Sequence, residues 1–181
     1  MKLRHLFFLM LIDLFLSTPF LNQLFSQSGE WTTFNVSNTN GGLTNNDIRA
    51  IAVNGDKVWF GTYGGGICRY QKSIEKWTHF DMSNSPMLSD HVQTIAIDGD
   101  DIWIGSDNGV NRFSVTAGEW QSWISIQCVS DISADQNHIW ISTVTEGVYR
   151  YSKSDSEWYN FNSGNSGLLS DLVNAIRIDG E

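Results

Sequence analysis

Two adjacent residues, Asp90 and His91, carry the most reactive combination in the chain, because a carboxylate beside an imidazole is the start of a general-base pair. No nucleophile or second ligand stands at a defined spacing from them, so the pair reads first as a solvated loop. His79 and His138 fall at strand positions away from His91, which argues against a three-histidine metal site. The acidic run Asp98-Gly99-Asp100-Asp101 lacks the twelve-residue loop and terminal glutamate of a calcium site and reads as a hairpin turn. Cys68 and Cys128 match no paired-cysteine metal spacing, and two thiols are too few for a disulfide scaffold. Asn35-Val36-Ser37 fits a glycosylation acceptor, which carries meaning only in a eukaryotic secretory route. No cofactor and no metal is expected.

The elements that position these residues form a repeat. Tryptophans Trp31, Trp77, Trp120 and Trp158 open successive copies of one phrase, and Trp59, Trp103 and Trp140 mark the middle of three of them. A period near 40 residues fits a propeller blade or a helical repeat. Local chemistry separates the two. Each copy contains short runs rich in β-branched and aromatic residues, closed by turn signals such as Asn54-Gly55, Asp98-Gly99 and Asp179-Gly180. No segment after residue 28 holds a helical apolar period for three turns. The first copy therefore predicts strands at 48–53, 57–62, 66–70 and 76–80, and four antiparallel strands per copy predict an all-β fold, a β-propeller of four-stranded blades.

The copies run over about 31–76, 77–119, 120–157 and 158–181, giving three blades and the start of a fourth, where closure takes about four to eight. An incomplete propeller over 29–181 is expected, opened by a lone strand at 31–34. The inner strands, with IAV and IAI, read as buried from both sides. The mid-copy tryptophans fill the layer between blades, and Arg69, Arg112 and Arg150, at one motif position, are expected to cap the blade edge by charge pairing.

Residues 1–28 precede the repeats. Lys2 and Arg4, an apolar stretch from Leu6 to Leu16, and small or polar residues near Ser26 and Ser28 follow the order of a secretory signal. Asp13 inside that stretch would cost about 2.5–3.5 kcal/mol at a bilayer centre, which disfavours an uncleaved anchor. Export to a bacterial periplasm or the extracellular face is expected. With 11 basic against 20 acidic residues and a net charge of −9, neither nucleic acid nor an anionic membrane surface is expected as a partner, and no second apolar run long enough for membrane insertion of the mature segment follows.

The segments IRAIAV, VWFGTYGGGICRY, VQTIAI, IWIGSDNGVNRF, IWISTVTEGVYRY and VNAIRI resemble the two-component regulator propeller repeat. That family pattern joins an inner V-x-A-I strand, a D-G turn, a W-[I/F]-G-T strand and a G-G-[L/I/V]-x-R-[Y/F] strand. The third copy departs from it, with Ser142 in place of glycine and a shortened loop. The resemblance implies an extracytoplasmic sensor module, placed before a membrane helix and a histidine kinase or comparable output.

In a propeller, the loops leading into the inner strand and those between the second and third strands share one face. That face would gather Asn46, Asp47, Tyr63, Asp90, His91, Asp107, Asn108, Glu146 and Asp171. Polar and aromatic groups around a channel mouth suit a ligand, although Asn, Asp and Ser also order turns through their own backbone. The expected function is a non-catalytic binding module for a small molecule or oligosaccharide, reporting to a signalling partner or acting as a dimer through the full-length protein. The rivals are a propeller lyase acting on polysaccharide or lactone through His91, and a protein-binding scaffold.

Overall fold

A computed structural model describes residues 31–179, so the predicted signal segment 1–28 and the turn at Asp179-Gly180 lie outside the described residues. The chain divides into two units, 1–33 and 34–181, and the fold is that of the second. It consists of three four-stranded antiparallel sheets. Blade 1 contains β1 (Ile48–Asn54), β2 (Lys57–Thr62), β3 (Ile67–Gln71) and β4 (Lys76–Phe80), with a single 3-10 turn at Lys72–Ile74. Blade 2 contains β5 (Val92–Asp98), β6 (Asp101–Ser106), β7 (Gly109–Ser114) and β8 (Glu119–Trp123). Blade 3 contains β9 (Val129–Ala134), β10 (His138–Thr143), β11 (Val148–Ser152) and β12 (Glu157–Phe161). Each sheet keeps chain order from first to fourth strand, and β1, β5 and β9 lie next to one another on the inner side. This is a β-propeller of four-stranded blades, with three blades among the described residues.

Turn chemistry sets the strand ends. Gly55 and Gly99 sit at φ of +56° and +59°, the conformation that a two-residue hairpin requires and that a side chain resists. Gly66 and Gly147 begin the third-strand turns at φ of +70° and +80°. A Cβ there would stand 2.2 Å from the carbonyl oxygens of Phe80 and Phe161 respectively, so the close approach of the outer strand also demands glycine.

The core is the layer between blades. Trp59 is fully buried and stacks on Phe80 of its own blade and edge-on against Phe113 of the next, with centroids 6.4 and 6.0 Å away. Trp103 repeats the arrangement one blade on, stacked on Trp123 at 5.2 Å and tilted against Tyr151 at 5.5 Å. Ile102, Ile104, Ile139 and Ile141, all fully buried, fill the same layers, and burying each contributes about 1.5–3 kcal/mol. Trp140 stacks on Phe161 but is only half-buried, because among the described residues no further blade covers its outer face.

Four expectations need correction. The inner strand of blade 1 is not buried from both sides: Ile51 and Val53 are 63% and 61% exposed, whereas Ile95 and Ile132 of β5 and β9 are buried, because among the described residues no blade stands before β1. Residues 31–34 form no strand, since no neighbouring strand pairs with them among the described residues, and Trp31 is almost fully exposed. Phe34 nonetheless packs against Tyr70 and Trp77 at 5.2 and 5.4 Å. The start of the fourth copy is likewise held without a ladder. Val173 N donates to the Thr143 carbonyl, and Ile176 N donates to Asp131 Oδ2.

The fourth correction concerns the recurring arginines, of which only Arg112 pairs with a carboxylate, Asp101, at 2.7 Å. Arg69 lies over the Trp59 ring, and Arg150 over Trp140, Tyr159 and Phe161. The residues opposite them across the sheet are Thr78 and Tyr159, which offer a hydroxyl and a ring rather than a charge.

Candidate functional site

Three loops lead toward inner strands from the same side, and they are built alike. Asn46, Asp90 and Asp171 occupy one repeat position, and each accepts a hydrogen bond from a backbone N–H across its loop: Val36 at 2.9 Å, Met82 at 2.8 Å and Ser163 at 2.6 Å. The preceding residues, Asn45, Ser89 and Ser170, each accept from the N–H two residues on, at Asp47, His91 and Leu172. These are turn-ordering bonds. The structure therefore gives Asn46, Asp90 and Asp171 the task of fixing loop shape. Asn108 donates to the Leu88 carbonyl, and Glu146 accepts the Tyr149 hydroxyl at 2.8 Å. Burial and the Glu146 carboxylate push the Tyr149 phenol up to about 12.

The remaining predicted residues come together. Tyr63, at the end of blade 1's second strand, and His91, just before blade 2's first, form an isolated antiparallel bridge through their backbones. Their rings stack at 4.3 Å with 13° between planes. Asp107 Oδ2 stands 3.5 Å from His91 Nδ1, and Asp47 pairs with Arg49 at 2.8 Å. Both partners in each ion pair are well exposed to solvent.

Two members of this cluster were absent from the sequence reading. Arg49 lies over the Tyr63 ring at 4.9 Å, and Gln93 Nε2 donates to Asp107 Oδ1 at 3.1 Å. Both sit at a register shift. Ile48 pairs with Thr62 and Ala50 with Gly61, so Arg49 is the extra residue of a bulge; Gln93 is the extra residue between Val92 and Thr94, and Ser130 between Val129 and Asp131. A bulge bends the strand and re-aims one side chain, and the repeat places it at the same position of every inner strand. The available signal was a polar residue recurring at the second position of each copy's opening segment, in IRAIAV, VQTIAI, VSDISA and VNAIRI.

The repeat thus separates into two kinds of position. Those that keep an Asn, Asp or Ser from copy to copy close turns. Those that change, Asp47/His91/Leu172, Tyr63/Asp107/Val144 and Arg49/Gln93/Ser130, supply the varied chemistry of the face. Among the described residues no three of His, Cys, Asp and Glu converge as metal ligands. His79 lies 3.9 Å from Asp81, and His138 lies 3.4 Å from Asp135. Burial pushes the Cys68 thiol up, despite its contact with Thr44 Oγ1.

Residues 42–64, from the loop into blade 1 through its second strand, match the family model of the two component regulator propeller. The chain is similar to that family over this segment. No curated protein matches it in sequence. Among solved structures, the extracellular domain of a protein assigned as a hybrid two component system of B. thetaiotaomicron superposes with a TM-score of 0.66 at 16% identity, covering 78% of this chain and 21% of that one. The extracellular domain of a protein assigned as a one component system of the same organism gives 0.64 at 20% identity, covering 86% and 21%. The WD40 repeats of RRP9 give 0.58 at 13%, covering 71% and 41%. At these identities the likeness is one of fold, and WD40 repeats are propeller blades. The chain spans about a fifth of the length of either extracellular domain.

Proposed function

We propose that the chain is the extracytoplasmic, non-catalytic input module of a signalling protein, and that its loop-bearing face recognises a small molecule or glycan fragment. The observation that carries this reading is the exposed Arg49–Tyr63–His91–Asp107 cluster at the junction of two blades, where a stacked aromatic pair is flanked by carboxylates and a guanidinium. Rings give shape selectivity, and the charged groups give directed hydrogen bonds, as in most ligand sites. The extracellular relatives and the signal-like segment at residues 1–28 support export. No described helix is long and apolar enough to cross a membrane.

Calorimetric titration of the full chain with an oligosaccharide panel tests this. Binding that weakens about tenfold or more in His91→Ala and Gln93→Ala, with no product formed, supports it. Absence of binding across the panel, or binding indifferent to both variants, contradicts it.

A second reading has its own observation. His91, oriented by Asp107 and beside Tyr63 and Arg49, has the makings of a proton-abstracting centre for a polysaccharide lyase. Appearance of the ultraviolet absorbance of an unsaturated uronic acid during incubation with uronate polymers, lost in His91→Ala, would favour it over the binding module.

A further inference from the structure

Continuous with the cluster through Arg49 and Gln93, β1, β5, β9 and the segment 174–177 line an open groove of about 550 Å³. It falls within the size range of small-molecule sites. Its polar lining comprises Arg49, Gln93, Ser130, Asp131, Asn174 and Arg177, together with Ser133 and Thr94. None of these was singled out by sequence as a ligand residue. Two guanidinium groups line it, each paired with one carboxylate, Arg49 with Asp47 and Arg177 with Asp131.

Each guanidinium retains donor capacity. Arg49 engages Asp47 through Nε and one terminal nitrogen, which leaves its other terminal nitrogen, and Arg177 meets Asp131 and the Ile176 carbonyl through Nη1 alone. A guanidinium has five N–H groups and no acceptor, so the unused ones match an oxyanion in planar, paired geometry. Gln93 of β5, Ser130 of β9 and Asn174 of the fourth copy's opening segment, at equivalent repeat positions, add neutral donors and acceptors along the same wall.

We infer that this groove binds a small organic molecule through an oxyanion group, held between Arg49 and Arg177, and that it forms part of the ligand site. The inference rests on the ligand-binding reading above and specifies its chemistry. Arg49 links the groove to the cluster, since it lines the groove and lies over Tyr63.

The test titrates the full chain, at constant ionic strength, with glucuronate, glucose and sodium sulfate. Glucuronate should bind, glucose about tenfold more weakly or worse, and Arg49→Gln and Arg177→Gln should each weaken glucuronate about tenfold. Both arginine side chains are well exposed, and an unchanged urea midpoint in the variants establishes that the fold is retained. Sulfate that competes with glucuronate, but binds more weakly, supports an oxyanion borne on an organic scaffold; sulfate binding as tightly as glucuronate overturns the organic scaffold. Glucose binding equal to glucuronate, or glucuronate binding indifferent to both arginine variants, overturns the inference and leaves ligand binding itself standing. Failure of glucuronate to bind overturns it as well, whereas the ligand-binding reading fails separately, on the oligosaccharide panel and His91→Ala.

Discussion

Tyr63 and His91 belong to different blades, yet their backbones bridge and their rings stack at 4.3 Å. The pair therefore both joins the blades and forms part of the candidate site. Both rings are substantially exposed, so the stack adds little to stability while shaping the surface. His91→Ala is expected to change unfolding free energy by less than about 1 kcal/mol while weakening ligand binding about tenfold. Urea denaturation and calorimetry on the same protein check both halves.

The layer between blades behaves differently. Trp103 is enclosed by Trp123 on its own blade and Tyr151 and Trp158 on the next, and Trp103→Ala should cost about 3–5 kcal/mol. Trp140 has Phe161 on its own blade and is only half-buried, so Trp140→Ala should cost clearly less than Trp103→Ala. Equal shifts in urea midpoint for the two variants would contradict the packing described.

Asp90 and Asn46 do the same work in successive loops, each accepting one backbone N–H. Asp90→Asn keeps that acceptor and should stay within about 0.5 kcal/mol of the parent, whereas Asp90→Ala should cost about 1 kcal/mol. Thermal melting of the two variants distinguishes a turn clamp from a residue whose charge matters.

The strands were largely legible, because hairpin turns and hydrophobic alternation are local. The second and fourth strands of blade 1 run over the predicted residues, the first is one residue longer, and the third is shifted by one residue at both ends. What lay beyond the sequence was relational. Arg49 and Gln93 enter the site through bulges, and a bulge shows only when two strands are paired. Propeller topology puts Asp90 and Asp171 on one loop face with Asp107, and only the hydrogen-bond partners separate turn from site. The exposure of Ile51 follows from which blade stands beside it, a fact that no pattern within its own strand contains.

Solution pH should act through two sets of groups. Hydrogen bonds from Ser83 and Thr116 hold Asp81 and Asp100 below the usual carboxylate range. A carboxyl lowered by folding stabilises the native state above its unfolded pKa of about 3.9, and that stability is lost as pH falls through the lower folded value. Tyr149 has the opposite sense. Its phenol is pushed up to about 12, so between about pH 10 and 12 the unfolded chain releases a proton that the folded chain retains, and stability declines. Urea midpoints measured across pH should fall at both extremes, and Tyr149→Phe should flatten the alkaline limb. An alkaline limb unaffected by that change would contradict the Glu146–Tyr149 interaction.

The central claim is that recognition occurs where blades 1 and 2 meet. Backbone amide NMR of the full chain, recorded during titration with the oligosaccharide panel, locates binding without reference to any variant. The account predicts shifts concentrated at Arg49, Tyr63, His91, Gln93 and Asp107. Shifts centred on the outer strands β4, β8 and β12, with those five residues unmoved, would contradict it.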